Sequence, residues 1–378
     1  MCAGSPWQIA ALAGPTQKGD THMTISTKLA VAFAAAALCN SAFAKDYVQT
    51  NLVSDGAVPA AVIDPNLVDP WGVSHSPGGA FWVSDNGTGV TTLYDGTGAI
   101  QPLVVAIPPP AGNTGPSLPT GQVFNPTSQF RVTKAGKTDT ALFLFATISG
   151  TLSGWAPSVD PANAIVAVDN SAQHAVYLGL ALYTAPVRSY LLAANFSAGV
   201  VEVYDGSFKQ VARFRDAGAP GIVPIPNTYN PYNVAVLAGH IYVSYAKVDP
   251  ATGAEKTGPG LGFVDEVTLS GKLVRRVASH GVLNAPWGMA IAPTSFGAFS
   301  NALLVGNFGD GRISAFRSGT GAFLGQMITT KQTYFAEPGL WAILPGNGGA
   351  GGAASTLYFT AGIQHEAHGL FGSLSPAN

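Results

Sequence analysis

With 378 residues, 10% of them charged, 46 glycines and 27 prolines, the chain has the composition of a β-rich globular protein, not of a coiled coil or a disordered segment. A net charge of -2 with scattered Lys and Arg leaves no basic stripe to neutralise phosphates, which excludes nucleic acid as a partner. Downstream of its first apolar run, no stretch approaches the ~20 uninterrupted apolar residues of a membrane span.

Residues 1–22 precede a second methionine, Met23, and read as an upstream extension. Residues 23–44 carry Lys28, the apolar run Leu29 to Leu38 and Ala42-Phe43-Ala44, the three parts of a secretory signal with its cleavage site. The run is too short to cross a bilayer, so a soluble, monomeric protein of residues 45–378 is expected in the periplasm or outside the cell. Cys2 and Cys39 both precede Lys45, so this exported chain has no thiol and no disulfide and rests on packing alone.

Tyr47 to Ser54 alternates like a strand but has no local partner, and it is predicted to close a ring of sheets from the N-terminal side. Asp69-Pro70-Trp71-Gly72-Val73 then opens a unit of short strands, continued by Phe81-Trp82-Val83-Ser84-Asp85 and Val90-Thr91-Thr92-Leu93-Tyr94. The unit recurs at Ala285-Pro286-Trp287-Gly288-Met289 with Leu303-Leu304-Val305-Gly306-Asn307. Counting from Pro70, Pro126, Pro231, Pro286 and Pro338, the period is about 53 residues with one double gap, filled at Ala175-Val176-Tyr177-Leu178-Gly179. Pro suits the first position of a strand, where its missing N–H costs no ladder bond. Six repeats of this length predict an all-β fold, a single six-bladed β-propeller. Asp95-Gly96 and Asp205-Gly206 mark tight hairpins. Pro108 to Gly121 and Asp249 to Gly262 read as loop inserts, the latter between the middle strands of the fourth blade, and Gly346 to Gly352 reads as a flexible turn.

The candidate ligand-binding residues are Trp71, Asp85, Asn195, Asn233, Trp287 and Asn307. Trp71, Trp287 and Trp341 cluster near the ring centre if the repeats superpose, as a platform for a planar ligand or as packing between blades. Asp85, Asn195 and Asn307 fall at one equivalent position in three blades. Their oxygens either converge on a divalent cation such as Ca²⁺ or accept backbone N–H bonds in their own turns. His365-Glu366-Ala367-His368 lacks zinc-protease spacing and, taken as a strand, puts Glu366 and His368 on one face as a structural pair.

The runs Asn51-Leu52-Val53-Ser54-Asp55, Asp69-Pro70-Trp71-Gly72, Trp82-Val83-Ser84-Asp85-Asn86-Gly87-Thr88-Gly89, Gly306-Asn307-Phe308-Gly309-Asp310-Gly311 and His368-Gly369-Leu370-Phe371-Gly372 resemble an uncharacterised family of exported bacterial propellers. Some of its members carry a C-terminal PEP-CTERM sorting tail, and this chain shows none. More distantly the repeat is similar to NHL and gluconolactonase-like six-bladed propellers, whose lactonase members hold one divalent cation at the tunnel mouth. The Glu-Gly-Pro and Pro-Asp-Gly runs of those enzymes are missing here. The favoured reading is therefore a non-catalytic exported propeller that binds a small molecule, glycan or protein on its loop face. The alternative is a divalent-metal-dependent, lactonase-like hydrolase, for which the catalytic residues are unknown.

Overall fold

In the computed structural model, residues 46–377 are described; the upstream and signal readings at 1–22 and 23–44 lie outside them. Six antiparallel sheets of four main strands each form the blades of a β-propeller. Their inner strands are Pro70–His75, Pro119–Phe124, Tyr177–Thr184, Tyr229–Leu237, Pro286–Ile291 and Leu340–Pro345. Each inner strand touches the next, and the sixth touches the first, so the ring is closed.

Alternation builds the blades: in Val200–Asp205 the apolar residues Val201 and Val203 pack into the core beside buried Tyr204. The Asp-Gly hairpins form as expected. Asp95 Oδ1 accepts the N–H groups of Thr97 and Ala99, and Asp205 Oδ1 those of Ser207 and Lys209.

The second blade starts earlier than its sequence suggests. Pro119, not Pro126, opens the inner strand, so the insert is a loop only up to Leu118. Pro126 follows the strand in a turn held by Asn125, whose Oδ1 accepts the Thr127 N–H and whose Nδ2 donates to Ala141 O. An extra hairpin, Arg131–Lys134 with Lys137–Thr140, then precedes the second strand. The fourth-blade insert does lie between His240–Val248 and Phe263–Val267, with Glu255–Lys256 paired onto the former.

Closure follows the expected route. Asp46–Ser54 lies antiparallel to His368–Pro376, from Tyr47 opposite Pro376 to Ser54 opposite Leu370, and supplies the outer strand of the sixth blade. Its flanks also pair with Ile328–Thr329 and Val62–Ile63, so one strand ties the blade to its neighbours.

Every inner strand carries a bulge near its start, just after its first paired residue in five blades and after Pro231, the third, in the fourth. An extra residue on one strand kinks it and re-aims a side chain. Here the residues at the bulges are Trp71, Thr120, Leu178, Tyr232, Trp287 and Trp341, all buried. The following position is Gly72, Gly121, Gly179, Asn233, Gly288 or Ala342. A Cβ at Gly121 would run into the backbone of Gly179 and Leu180, so adjacent inner strands come together where only glycine fits.

Candidate functional site

The bulged residues meet on the ring axis. Trp71 stacks on Trp341 with ring centroids 3.4 Å apart, and Trp287 stands edge-on to both at 6.1 and 5.6 Å. Tyr232 lies 6.0 Å from Trp341, and Phe308 stacks on its ring at 4.3 Å. Trp287 Nε1 donates across the axis to Leu178 O at 3.2 Å. These rings plug the tunnel.

Asp69 pins the plug. Trp71 Nε1 donates to its Oδ2 at 2.9 Å and Trp341 Nε1 to its Oδ1 at 3.1 Å. Asp69 has a left-handed φ of 47°, and Ala285, at the same place in the fifth blade, has 48°. The repeat therefore imposes this backbone whatever side chain is present, and the carboxylate is a feature of the first blade alone among these two.

Above the plug, on the loop face, lies a cavity of about 380 Å³. Its walls come from the turns after the second strands (Asn86, Ile148, Phe196, Ser197), from Thr252 to Glu255 of the fourth-blade insert, and from Glu366 of the sixth blade. Trp71, Val176 and Leu178 form the floor with Asp69. Three carboxylates thus share one cavity, and no Lys, Arg or His lines it. Burial, opposed by the two indole bonds and reinforced by Glu255, pushes Asp69 up to about 7. Burial together with the charges of Asp69 and Glu255 pushes Glu366 up to about 8, and burial raises Glu255 as well. The Tyr232 hydroxyl is fully buried, and burial, followed by nearby Glu255, Glu366 and Asp69, pushes its pKa up.

Glu366 reaches the cavity through an unusual turn, in which Gln364, His365 and Glu366 have φ of 53°, 60° and 65°. Each left-handed L-residue costs roughly 1–2 kcal/mol, which only well-packed flanking strands can hold. The strand assumption for this segment is therefore corrected. It is a turn, Glu366 faces the tunnel mouth, and His368 pairs instead with Asp55 at 2.7 Å.

Of the residues singled out from sequence, Trp71 lines the loop-face cavity and Trp287 joins it in the plug. Asn233 lies at the other end of the tunnel, in a second cavity of about 260 Å³, where its Nδ2 donates to Trp287 O at 2.8 Å. Asp85, Asn195 and Asn307 each end the second strand of their own blade and bond locally. Thr92 Oγ1 donates to Asp85 Oδ2; Asn195 Nδ2 donates to Glu202 Oε1; Asn307 Oδ1 accepts the Asn284 N–H. Their immediate neighbours Asn86 and Phe196 face the mouth instead. Among the described residues no three His, Cys, Asp or Glu side chains are grouped to hold one metal ion.

Asp85 is fully buried, its Oδ1 has no partner, and desolvation holds its pKa well above the usual carboxylate range. The equivalent residue is neutral Asn in the third and fifth blades. Asp85→Asn is expected to leave the melting temperature at neutral pH unchanged or raise it, while Asp85→Ala loses about 1–2 kcal/mol with the Thr92 bond. A large loss in Asp85→Asn, read by thermal melts, would show that the charge itself is needed.

The cluster also sets a pH dependence. Folded-state pKa values above the unfolded ones mean that folding takes up protons. The stabilisation is complete below about pH 4 and is lost as pH rises through about 7 for Asp69 and 8 for Glu366. Urea midpoints should therefore fall between about pH 4 and 8, and Glu366→Gln should flatten the upper part of that decline. An unaltered slope in the variant would remove Glu366 from the cause.

No helix among the described residues is long and apolar enough to cross a membrane. No family model matches the chain. An uncharacterised protein of Acanthamoeba polyphaga mimivirus is 32% identical over 327 residues, covering 85% of this chain and 78% of its own length. A second from the same virus is 32% identical over 326 residues, covering 85% and 84%. Among solved structures, a streptogramin B lyase superposes with a TM-score of 0.48 at 10% identity, over 88% of this chain and 97% of its own. A gluconolactonase of Xanthomonas campestris gives 0.38 at 16%, over 62% and 82%. Likeness at that level carries no chemistry across. The two sequence relatives are viral, so the expected link to exported bacterial proteins gains no support from them. At this identity and coverage, the chain belongs to the family of these uncharacterised mimivirus proteins.

Proposed function

We propose that this propeller is a binding protein whose ligand occupies the loop-face cavity above the tryptophan plug. The observation that carries the reading is the cavity itself: about 380 Å³, floored by Trp71 and walled by turns from several blades and a dedicated insert. That size lies within the roughly 300–1,000 Å³ of small-molecule pockets, and such pockets combine apolar walls with a few placed polar groups. The hydrolase alternative needs a cation with an open position and a base beside its water. The separate local bonding of Asp85, Asn195 and Asn307 gives that reading no grouped donors. The leader at 23–44 supports action in the periplasm or outside the cell, which Lys45 as the mature N-terminus in mass spectrometry would bear out.

Ala254→Trp, in the wall, fills the cavity without touching the plug. In saturation-transfer NMR with a small-fragment mixture, the wild-type chain should give hits that this variant loses. Hits that persist unchanged in the variant, or their absence in the wild type, would overturn the reading.

A further inference from the structure

We infer that the loop-face cavity takes a small organic cation: a primary or secondary ammonium group on an apolar or aromatic body, its charge facing Asp69, Glu255 and Glu366. This rests on the reading of the cavity as the ligand site and names the class of ligand.

The three carboxylates come from unrelated parts of the chain: the start of the first inner strand, the fourth-blade insert and the left-handed turn of the sixth blade. Nothing in the hydrogen bonding of the blades requires them to meet. Like charges brought together and desolvated are unfavourable unless protons or a cation answer them, and no Lys, Arg or His lines the cavity to do so once the carboxylates ionise. For Glu366 the surroundings supply only burial and the fields of Asp69 and Glu255, with no donor.

Tyr232, whose hydroxyl is fully buried, lies close to the same three carboxylates. A primary or secondary ammonium can donate its N–H groups to these carboxylates. A quaternary ammonium cannot.

The remaining walls select against a bare metal ion. Hard divalent cations want six or more oxygens, whereas Ile148, Val176, Leu178, Phe196 and Trp71 offer hydrocarbon and ring faces. Those faces suit the body of an organic amine, and aromatic faces attract its charge.

The test compares phenethylamine and butylamine with their uncharged isosteres 2-phenylethanol and butanol by calorimetry at about pH 8.5, where the amines remain protonated and the carboxylates are largely ionised. At least one amine should bind about tenfold or more tightly than its alcohol. That preference should shrink about tenfold in Glu255→Gln, on the short insert strand, and in Glu366→Gln, on its turn, neither of which hydrogen-bonds a plug tryptophan. Equal binding of amine and alcohol, unaffected by either variant, would overturn the cationic ligand while leaving the cavity reading in place. So would CaCl₂ that binds and displaces the amine, or failure of both amines while fragment hits are still lost in Ala254→Trp. Absence of any fragment hit would instead sink the underlying reading.

Discussion

Removal of Asp46–Ser54 is expected to unfold the whole ring, because this strand is where the two ends of the chain are joined. Tyr47, Leu52 and Val53 are buried within it. Tyr47 donates its hydroxyl to Phe296 O at 2.9 Å and packs on Phe296 and Phe299, which belong to the fifth blade. Burying three such side chains contributes about 1.5–3 kcal/mol each, and a domain holds only about 5–15 kcal/mol in all. The deletion also leaves His368–Pro376 as an unpaired edge beside the buried residues Leu370, Phe371 and Leu374, a template for aggregation. The truncated chain should lose its cooperative melt and elute as aggregate. A truncated chain that stays monomeric with an unchanged melting temperature would refute closure by this strand. Tyr47→Phe, which removes only the bond to Phe296 O, should cost about 1 kcal/mol and separates that contact from the strand as a whole.

The ring was legible in the sequence because each blade must begin and turn at fixed places, and Pro, Gly and Asp-Gly pairs record those places. The second blade was misplaced for the same reason: Pro119 sits in a Pro/Gly-rich run that reads as loop, while Pro126 stands alone beyond it. The tryptophan cluster could be foreseen since superposing repeats puts Trp71, Trp287 and Trp341 at one level. The acidic mouth could not. Asp69 opens its motif but is matched by Ala285 at the same place in the fifth blade, Glu255 lies in an insert with no repeat to compare, and Glu366 reaches the axis through three left-handed residues that no periodicity reports. A comparison of Asp69 with Ala285 held the usable signal, because two repeats with one backbone and different side chains isolate what the side chain adds. The Asp85, Asn195 and Asn307 alignment was real, yet the strand end turns those side chains into their own blades. The next residue along, Asn86 or Phe196, looks over the mouth.

Asp69→Ala should be the most damaging single substitution near the cavity. Asp69 accepts from the indoles of Trp71 and Trp341, both of them buried, and these two rings are the stacked pair of the plug. Without the carboxyl group two buried N–H groups lose their acceptor, at about 1–3 kcal/mol each. Asp69→Asn keeps one carbonyl oxygen and turns an amide donor toward the other indole, so it should cost about half as much. Near-ultraviolet circular dichroism and tryptophan emission should report loosened rings in both variants. The pH dependence separates this role from mere space-filling. The Asp69 pKa is raised to about 7, so its contribution to wild-type stability is greatest below about pH 4 and declines as pH rises through 7, whereas Ala carries no such dependence. The stability gap between wild type and Asp69→Ala should therefore be widest in acid and narrower at about pH 8.5. If denaturant titrations show the gap widening with pH instead, Asp69 is held as an anion by a compensating positive group, and the acidic character assigned to the mouth of this propeller is wrong.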